Sequence, residues 1–280
     1  MAKDNGSARV ARRGRGALGF LVSAMIIGGA CVAGAAEPSI DPTPLDPECA
    51  VPPSALSIGA KMPAVVAALR SGEDVDIVAL GSSSTEGAGA TSADMTYPAQ
   101  FALELRVRFP RSRITVVNRG IGGQLARQMV DRIGRDAIEA KPELVIWQTG
   151  TNDALALIDQ SEFRSTLVEG IDRLQAASID VVLMDLQYYP NARKSDTYER
   201  YVEAMSGVAK DERVGLFGRY AMMRHWAAAE RSLWAGDNFH LGNLGYHCVA
   251  SVLAEVIERQ VHDLQYADAA PTATVVTASK

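Results

Sequence analysis

The chain has 280 residues, 48% of them hydrophobic, enough for one α/β domain with a well-buried core. Its formal net charge is -5 at pH 7, with acidic and basic residues interspersed. No basic stripe follows residue 36, which argues against nucleic acid as a partner.

The first 36 residues read as an export signal. Lys3, Arg9, Arg12, Arg13 and Arg15 precede an apolar run over 17–27, and small residues follow as far as Ala36. That is the layout of a secretory signal peptide with cleavage after Ala35 or Ala36. The alternative is an uncleaved anchor, since 17–36 is nearly long enough to span a bilayer. Gly28, Gly29 and Gly34 weaken a permanent helix and favour cleavage. In both cases the rest of the chain is expected outside the cytoplasm, periplasmic or secreted, with the anchor its one membrane contact. Arg12-Arg13 is a poor twin-arginine signal. Cys31 lacks the large apolar residue that lipidation favours three positions before it.

Residues 37–60 are expected to form a Pro-rich linker, with six prolines between Glu37 and Pro53. Strand-like and helix-like segments then alternate. Residues 75–80 are a short β-branched apolar run, a buried strand. The pattern predicts a helix over 98–109, a strand over 114–117, an amphipathic helix over 125–140 and a strand over 144–147. A helix over 161–176 follows, with Ser161 as its cap. Then come a strand over 181–185, a helix over 197–209, a weak strand over 214–217, and helices over 219–233 and 243–262. This alternation implies a single doubly wound, flavodoxin-like parallel sheet over 61–265, with a frayed tail at 266–280. Past the leader two cysteines remain, Cys49 and Cys248. They form either a disulfide joining the two ends of the domain or two unpaired thiols. No cluster has metal-ligand spacing, and no cofactor is implied.

Ligands bind such sheets at the carboxyl ends of the strands. Three of those ends carry polar, glycine-rich segments: Gly81-Ser82-Ser83-Ser84-Thr85-Glu86-Gly87, Asn118-Arg119-Gly120-Ile121-Gly122-Gly123-Gln124 and Gly150-Thr151-Asn152-Asp153. Asp237-Asn238-Phe239-His240 lies near the C-terminus. The first lacks both the P-loop lysine and dinucleotide spacing. Singly, each segment reads as a cap or turn. Together they supply what acyl transfer needs: a serine, a histidine base, a carboxylate to orient it, and donors for an oxyanion.

The four segments resemble, in order and spacing, the four sequence blocks of the SGNH (GDSL-type) hydrolases, over about 74–262. The first resembles Gly-Asp-Ser-x-Thr-x-Gly, which implies Ser83 as nucleophile. The second resembles Asn-x-Gly-x-x-Gly, which implies Gly123 as a backbone oxyanion donor. The third resembles Gly-x-Asn-Asp, which implies Asn152 as a side-chain donor. The Asp-x-x-His block implies Asp237 and His240. The Ser83 amide completes the oxyanion hole. Ser82 stands where the family usually has Asp, and register with Gly81, Thr85 and Gly87 selects Ser83 over Ser82 and Ser84. An α/β-hydrolase elbow would want Gly at position 85, which is Thr.

The expected activity is hydrolysis of short-acyl, acetyl-type esters of carbohydrates, the substrate being a small-molecule or glycan ester. Tyr188, Tyr189 and Trp234 are the candidate sugar-binding aromatics, beside a loop expected to be the longest polar connection at that end of the sheet. The rival readings are a polysaccharide O-acetyltransferase using the same residues, a lysophospholipase-like or thioesterase-like hydrolase, and a non-catalytic carbohydrate-binding module. A complete triad argues against the last.

Overall fold

The computed structural model of the chain describes residues 44–189, 196–231 and 233–269, the side chains of 196 and 263–269 excepted. The leader expected at 1–36 lies outside the described residues. So do most of the polar connection after the fourth strand and the end of the tail.

Five parallel strands form one sheet: β1 (Val75–Gly81), β2 (Ile114–Gly120), β3 (Leu144–Gln148), β4 (Asp180–Met184) and β5 (Gly215–Phe217). Their order is β2-β1-β3-β4-β5. Every residue of β3 is buried, as is all of β1 except Asp76. A strand covered on both faces reads as a continuous apolar run, which is why these two were legible to within a residue.

Nine helices are described: α1 (Pro63–Ser71), α2 (Ser83–Glu86), α3 (Tyr97–Arg108), α4 (Ala126–Asp136), α5 (Thr151–Leu155), α6 (Gln160–Ala176), α7 (Asp196–Asp211), α8 (Arg219–Ala228) and α9 (Asn243–Ala269). From β1 the chain steps one way to β2, and then the other way to β3, β4 and β5. Right-handed crossovers therefore put α3 on one face and α4, α6 and α7 on the other. The observed contacts agree: α9 packs on α3 and α1, while α6 lies between α4 and α7. Order reverses between β1 and β3, so the crevice of this flavodoxin-like sheet opens at their carboxyl ends, where β1 gives way to Ser82 and β3 to Thr149.

Three expectations change. The segment read as an extended linker is, from residue 44 onward, packed on the domain, with short 3₁₀ turns against α9. Cys49 and Ile58 are buried, Leu216 N–H donates to the Ile58 carbonyl at 2.9 Å, and the Trp226 indole donates to the Ala50 carbonyl at 3.1 Å. Its prolines fix turns rather than spacing. The cap of α6 is Asp159, whose Oδ1 accepts the N–H groups of Ser161 and Glu162 at 2.8 and 3.2 Å, not Ser161. The terminal helix continues through 266–269 instead of fraying at 266. The open choice at the cysteines resolves to a disulfide between Cys49 and Cys248. None of the helices among the described residues is long and apolar enough to cross a membrane.

Candidate active site

β1 ends at Gly81, and the chain turns directly into α2, whose first residue is Ser83. A first-turn amide has no helical carbonyl in reach, so the Ser83 N–H is free for another acceptor. The Ser83 Oγ lies 2.9 Å from His240 Nε2, and His240 Nδ1 lies 2.7 Å from Asp237 Oδ2. Asp237 Oδ1 accepts the backbone N–H groups of Phe239 and His240, both at 2.9 Å, so one carboxylate holds its loop and the imidazole together. Burial pushes the Asp237 carboxyl up, but the His240 ring and those two amides outweigh it and hold it at about 2. An ionised carboxylate on Nδ1 fixes the tautomer that leaves Nε2 able to take the serine proton.

The loop carrying Asp237 and His240 is closed at its base. Trp234 and Leu241 form an antiparallel bridge, and Ala235 N–H donates to the His240 carbonyl at 2.8 Å. Ser82 and Ser84, the two neighbours that sequence register had to separate from Ser83, are buried, and their hydroxyls donate to Gln148 and Gln187. Of the three serine hydroxyls, the one placed on the histidine is that of Ser83.

Residues 48–263 match the non-GDSL lipase-like family. The chain belongs to this family. Its description suits the first block, which has Ser82 where the GDSL block has Asp, and the resemblance to SGNH/GDSL-type hydrolases holds. An uncharacterized lipoprotein of Bacillus subtilis, YqeF, is 32% identical over 116 residues, which cover 39% of this chain and 47% of that protein. A two-domain esterase, CEX, active on acetylated mannans, superposes with a TM-score of 0.63 at 20% identity, over 74% of this chain and 55% of that one. The chain thus spans about half the length of these two relatives. A tryptophan-to-isoleucine variant of Axe2, an acetyl xylan esterase from Geobacillus stearothermophilus, gives a TM-score of 0.57 at 21% identity, over 65% of this chain and 94% of that one. A lipase/acylhydrolase from Enterococcus faecalis gives 0.56 at 20% identity, over 66% and 96%. At such identities the structures carry the fold alone.

In this lipase-like protein the turn after β2 supplies the second side of the site. Gly123 has φ +75°, a left-handed conformation that glycine adopts without a Cβ penalty. A Cβ on its neighbour Gly122 would come within 3.9 Å of the Ser83 Cβ, which places the turn against the serine. Asn152, in the first turn of α5, donates from Nδ2 to the Gln124 carbonyl at 2.8 Å. One of its two N–H groups is thereby fixed, and the other remains for a ligand. The fold brings Ser83, the Gly123 turn, Asn152, Asp237 and His240 together from separate segments of the chain.

Of the aromatic residues, Tyr188 does not face the site. It is 1% exposed and packed edge-on against Tyr220, with ring centroids 5.6 Å apart, four residues past the end of β4. Contrary to the expectation, it offers no surface to a sugar. Tyr189 is half-buried and packs on Phe239 at 4.9 Å, and Phe239 meets the His240 ring edge-on at 4.8 Å. Trp234 is half-buried and donates to the Tyr188 carbonyl at 3.4 Å. A separate recess of about 820 Å³, lined by Ile58, Lys61, Lys210, Arg213 and Leu216 among others, lies where the chain enters β5. None of the site residues lines it. Among the described residues no group of three or more His, Cys, Asp or Glu side chains is placed to hold a metal.

Several supporting residues escaped sequence reasoning. Gln148, at the end of β3, is 1% exposed, and its Oε1 accepts from the Ser82 N–H at 3.0 Å, the Ser82 hydroxyl at 3.1 Å and the Thr85 hydroxyl at 3.0 Å. A backbone N–H can only donate, so the amide orientation is set. With the Thr85 hydrogen so used, the Tyr97 phenol donates to Thr85 at 3.2 Å; burial raises Tyr97 to about 12 and keeps it protonated. Arg132, 7% exposed, bonds the carbonyls of Gly81 and Arg119 and the Gln124 side chain, tying the ends of β1 and β2 to the oxyanion turn. Asp153 accepts the first N–H of α4, from Ala126, at 3.0 and 3.2 Å; burial raises its carboxyl against that bond. Only Asp153 had a visible signal, as the last residue of Gly-x-Asn-Asp.

Proposed function

We propose that the chain is an exported serine esterase that hydrolyses short-acyl esters, acetyl esters of carbohydrates foremost, through an acyl-enzyme. The observation that carries this reading is the continuous hydrogen-bonded path from Ser83 Oγ through His240 to Asp237. His240 takes the serine proton as Oγ attacks the ester carbonyl. The oxyanion is held by the amides of Ser83 and Gly123 and by the free N–H of Asn152. The protonated imidazole returns its proton to the leaving alkoxide, and water, activated by the same base, then releases the acid.

Support for the acetyl and carbohydrate part comes from the two structural relatives that act on acetylated mannans and xylan. Support for export comes from the basic and apolar N-terminus, the disulfide, and the lipoprotein relative. The test is an acyl-length series of nitrophenyl esters, together with acetylated oligosaccharides, on purified mature protein and its Ser83→Ala variant. Highest kcat/KM at acetyl or propionyl, falling by C8, is expected, with turnover in Ser83→Ala lower by several orders of magnitude. A preference for C8 or longer chains would replace the carbohydrate reading with a lysophospholipase-like one. Acyl transfer to added sugar in excess of hydrolysis would make it an O-acetyltransferase.

A further inference from the structure

Gln187 lies three residues past the end of β4 and is 2% exposed. Its side-chain amide touches two of the segments that the site depends on, α2 and the loop before α9. Oε1 accepts the hydroxyl of Ser84 at 2.8 Å, and Nε2 donates to the carbonyl of Phe239 at 3.2 Å. A carbonyl can only accept, so the amide has one orientation, with its oxygen toward Ser84. Ser84 follows Ser83, and Phe239 precedes His240.

The main chain of the same residue is held on both sides. Its N–H donates to the Thr151 hydroxyl at 3.2 Å, and its carbonyl accepts the Tyr198 phenol at 2.7 Å. Thr151 precedes Asn152. Gln187 therefore bonds to the immediate neighbours of Ser83, His240 and Asn152, residues that lie up to 103 positions from it in the chain.

We propose that Gln187 is a positioning residue that sets the separation and alignment of Ser83 and His240. The proposal rests on the serine–histidine reading given above. Ser83 opens α2 and His240 sits on a loop 157 positions away, yet proton transfer requires their heavy atoms near the observed 2.9 Å. A misplacement of about 1 Å at a reacting pair costs on the order of 10²-fold in rate. A buried planar amide with an acceptor at one end and a donor at the other fits this task, because its length fixes the distance between α2 and the loop of His240. A carboxylate could accept from Ser84 but would set a negative oxygen against the Phe239 carbonyl.

The experiment compares Gln187→Met, Gln187→Glu and Ser84→Ala with wild type and Ser83→Ala, using nitrophenyl acetate and a fluorophosphonate that titrates the reactive serine. Gln187→Met keeps the volume and loses both bonds. The expected result is kcat per titrated site lower by roughly 10- to 100-fold with KM nearly unchanged, and phosphonylation slowed in parallel. Gln187→Glu should fall at least as far, and the double variant Ser84→Ala/Gln187→Met no further than Gln187→Met alone, because the Ser84 hydroxyl acts through Gln187. A merely structural role would reduce the titrated fraction or the Tm and leave kcat per site at the wild-type value, which would overturn the proposal. If Gln187→Met does not fold, Ser84→Ala decides: a fall of more than about threefold in kcat per site supports it, and any smaller change overturns it. The two failures are distinguishable. Full activity in Ser83→Ala removes the serine–histidine reading itself, whereas an inactive Ser83→Ala beside a fully active Gln187→Met removes only the role of Gln187.

Discussion

Two N–H groups share the amide nitrogen of Asn152, and the Gln124 carbonyl engages one of them at 2.8 Å. That bond orients the amide before substrate arrives, and donors fixed in advance are the ones that favour a developing oxyanion over a neutral carbonyl. Asn152→Ala should therefore lower kcat by roughly 10²–10³ with little change in KM, measured on nitrophenyl acetate. An effect confined to KM would make Asn152 a ground-state contact instead. Asp237 makes the complementary contribution at the other end of the relay. Since its carboxyl is held at about 2, it keeps its charge as the solution is acidified through the range where enzymes are assayed. Protonation of Asp237 should therefore not be what limits activity over that range. Asp237→Asn should cost on the order of 10³–10⁴ in kcat, since an amide no longer enforces the productive tautomer.

In α6, Gly170 faces β3, and a Cβ there would lie 2.4 Å from Trp147 Cη2 and 3.0 Å from Val130 Cγ2. Trp147 is fully buried and cannot swing away. Alanine is worth about 1 kcal/mol more than glycine inside a helix, but overpacking a filled core costs about 1–3 kcal/mol. The clash should win. Gly170→Ala is expected to lower the Tm by several degrees while leaving kcat of the folded fraction intact, as read by a thermal melt and an active-site titration. Legibility also varied by element. Strand β3 shows as an apolar run as far as Trp147 and β1 as one broken only at Asp76, whereas α2 and α5 span four and five residues, too few for a helical period to register. Helix α1 did leave a signal that periodicity alone passes over: Pro63 at its first turn and Gly72 just beyond its end, with φ +74°.

Across the whole molecule, the Cys49–Cys248 bridge spans 199 positions of sequence. It ties the segment before the sheet to α9, the helix that covers α3 and α1. Closing so long a loop restricts the unfolded chain, and loss of such a bridge costs about 2–5 kcal/mol. The Cys49→Ser/Cys248→Ser variant should melt at a clearly lower temperature than the oxidised protein, and reductant should shift the oxidised protein toward the variant. Equal melting temperatures with and without reductant would show that the bridge adds no stability. A second global effect comes from Asp185, just past β4, whose carboxyl is raised to about 7 by burial despite its bond from Tyr220 N–H at 2.8 Å and the nearby Arg219. A raised carboxyl favours the folded state while protonated. Its contribution is complete below the unfolded value of about 3.8 and is lost as the pH rises through about 7. Asp185→Asn should accordingly flatten the fall in Tm between about pH 4 and pH 7.

What the sequence determined by itself is whatever local pattern can encode. Buried strands announce their composition, the alternation of strands and helices dictates a parallel sheet with its site at the carboxyl ends, and four short blocks in order name Ser83, Gly123, Asn152, Asp237 and His240. What only the tertiary structure decided are relations between residues far apart in the chain. Pairing of Cys49 with Cys248 depends on proximity across the domain, and the burial of Tyr188 depends on Tyr220, a neighbour from another element. The Gln148, Gln187 and Arg132 bonds reach residues up to 66, 103 and 51 positions away. A glutamine that carries three donors on one oxygen has the same letter as one in solvent. Its role is written in the geometry of its partners, which no periodicity or motif along the chain records.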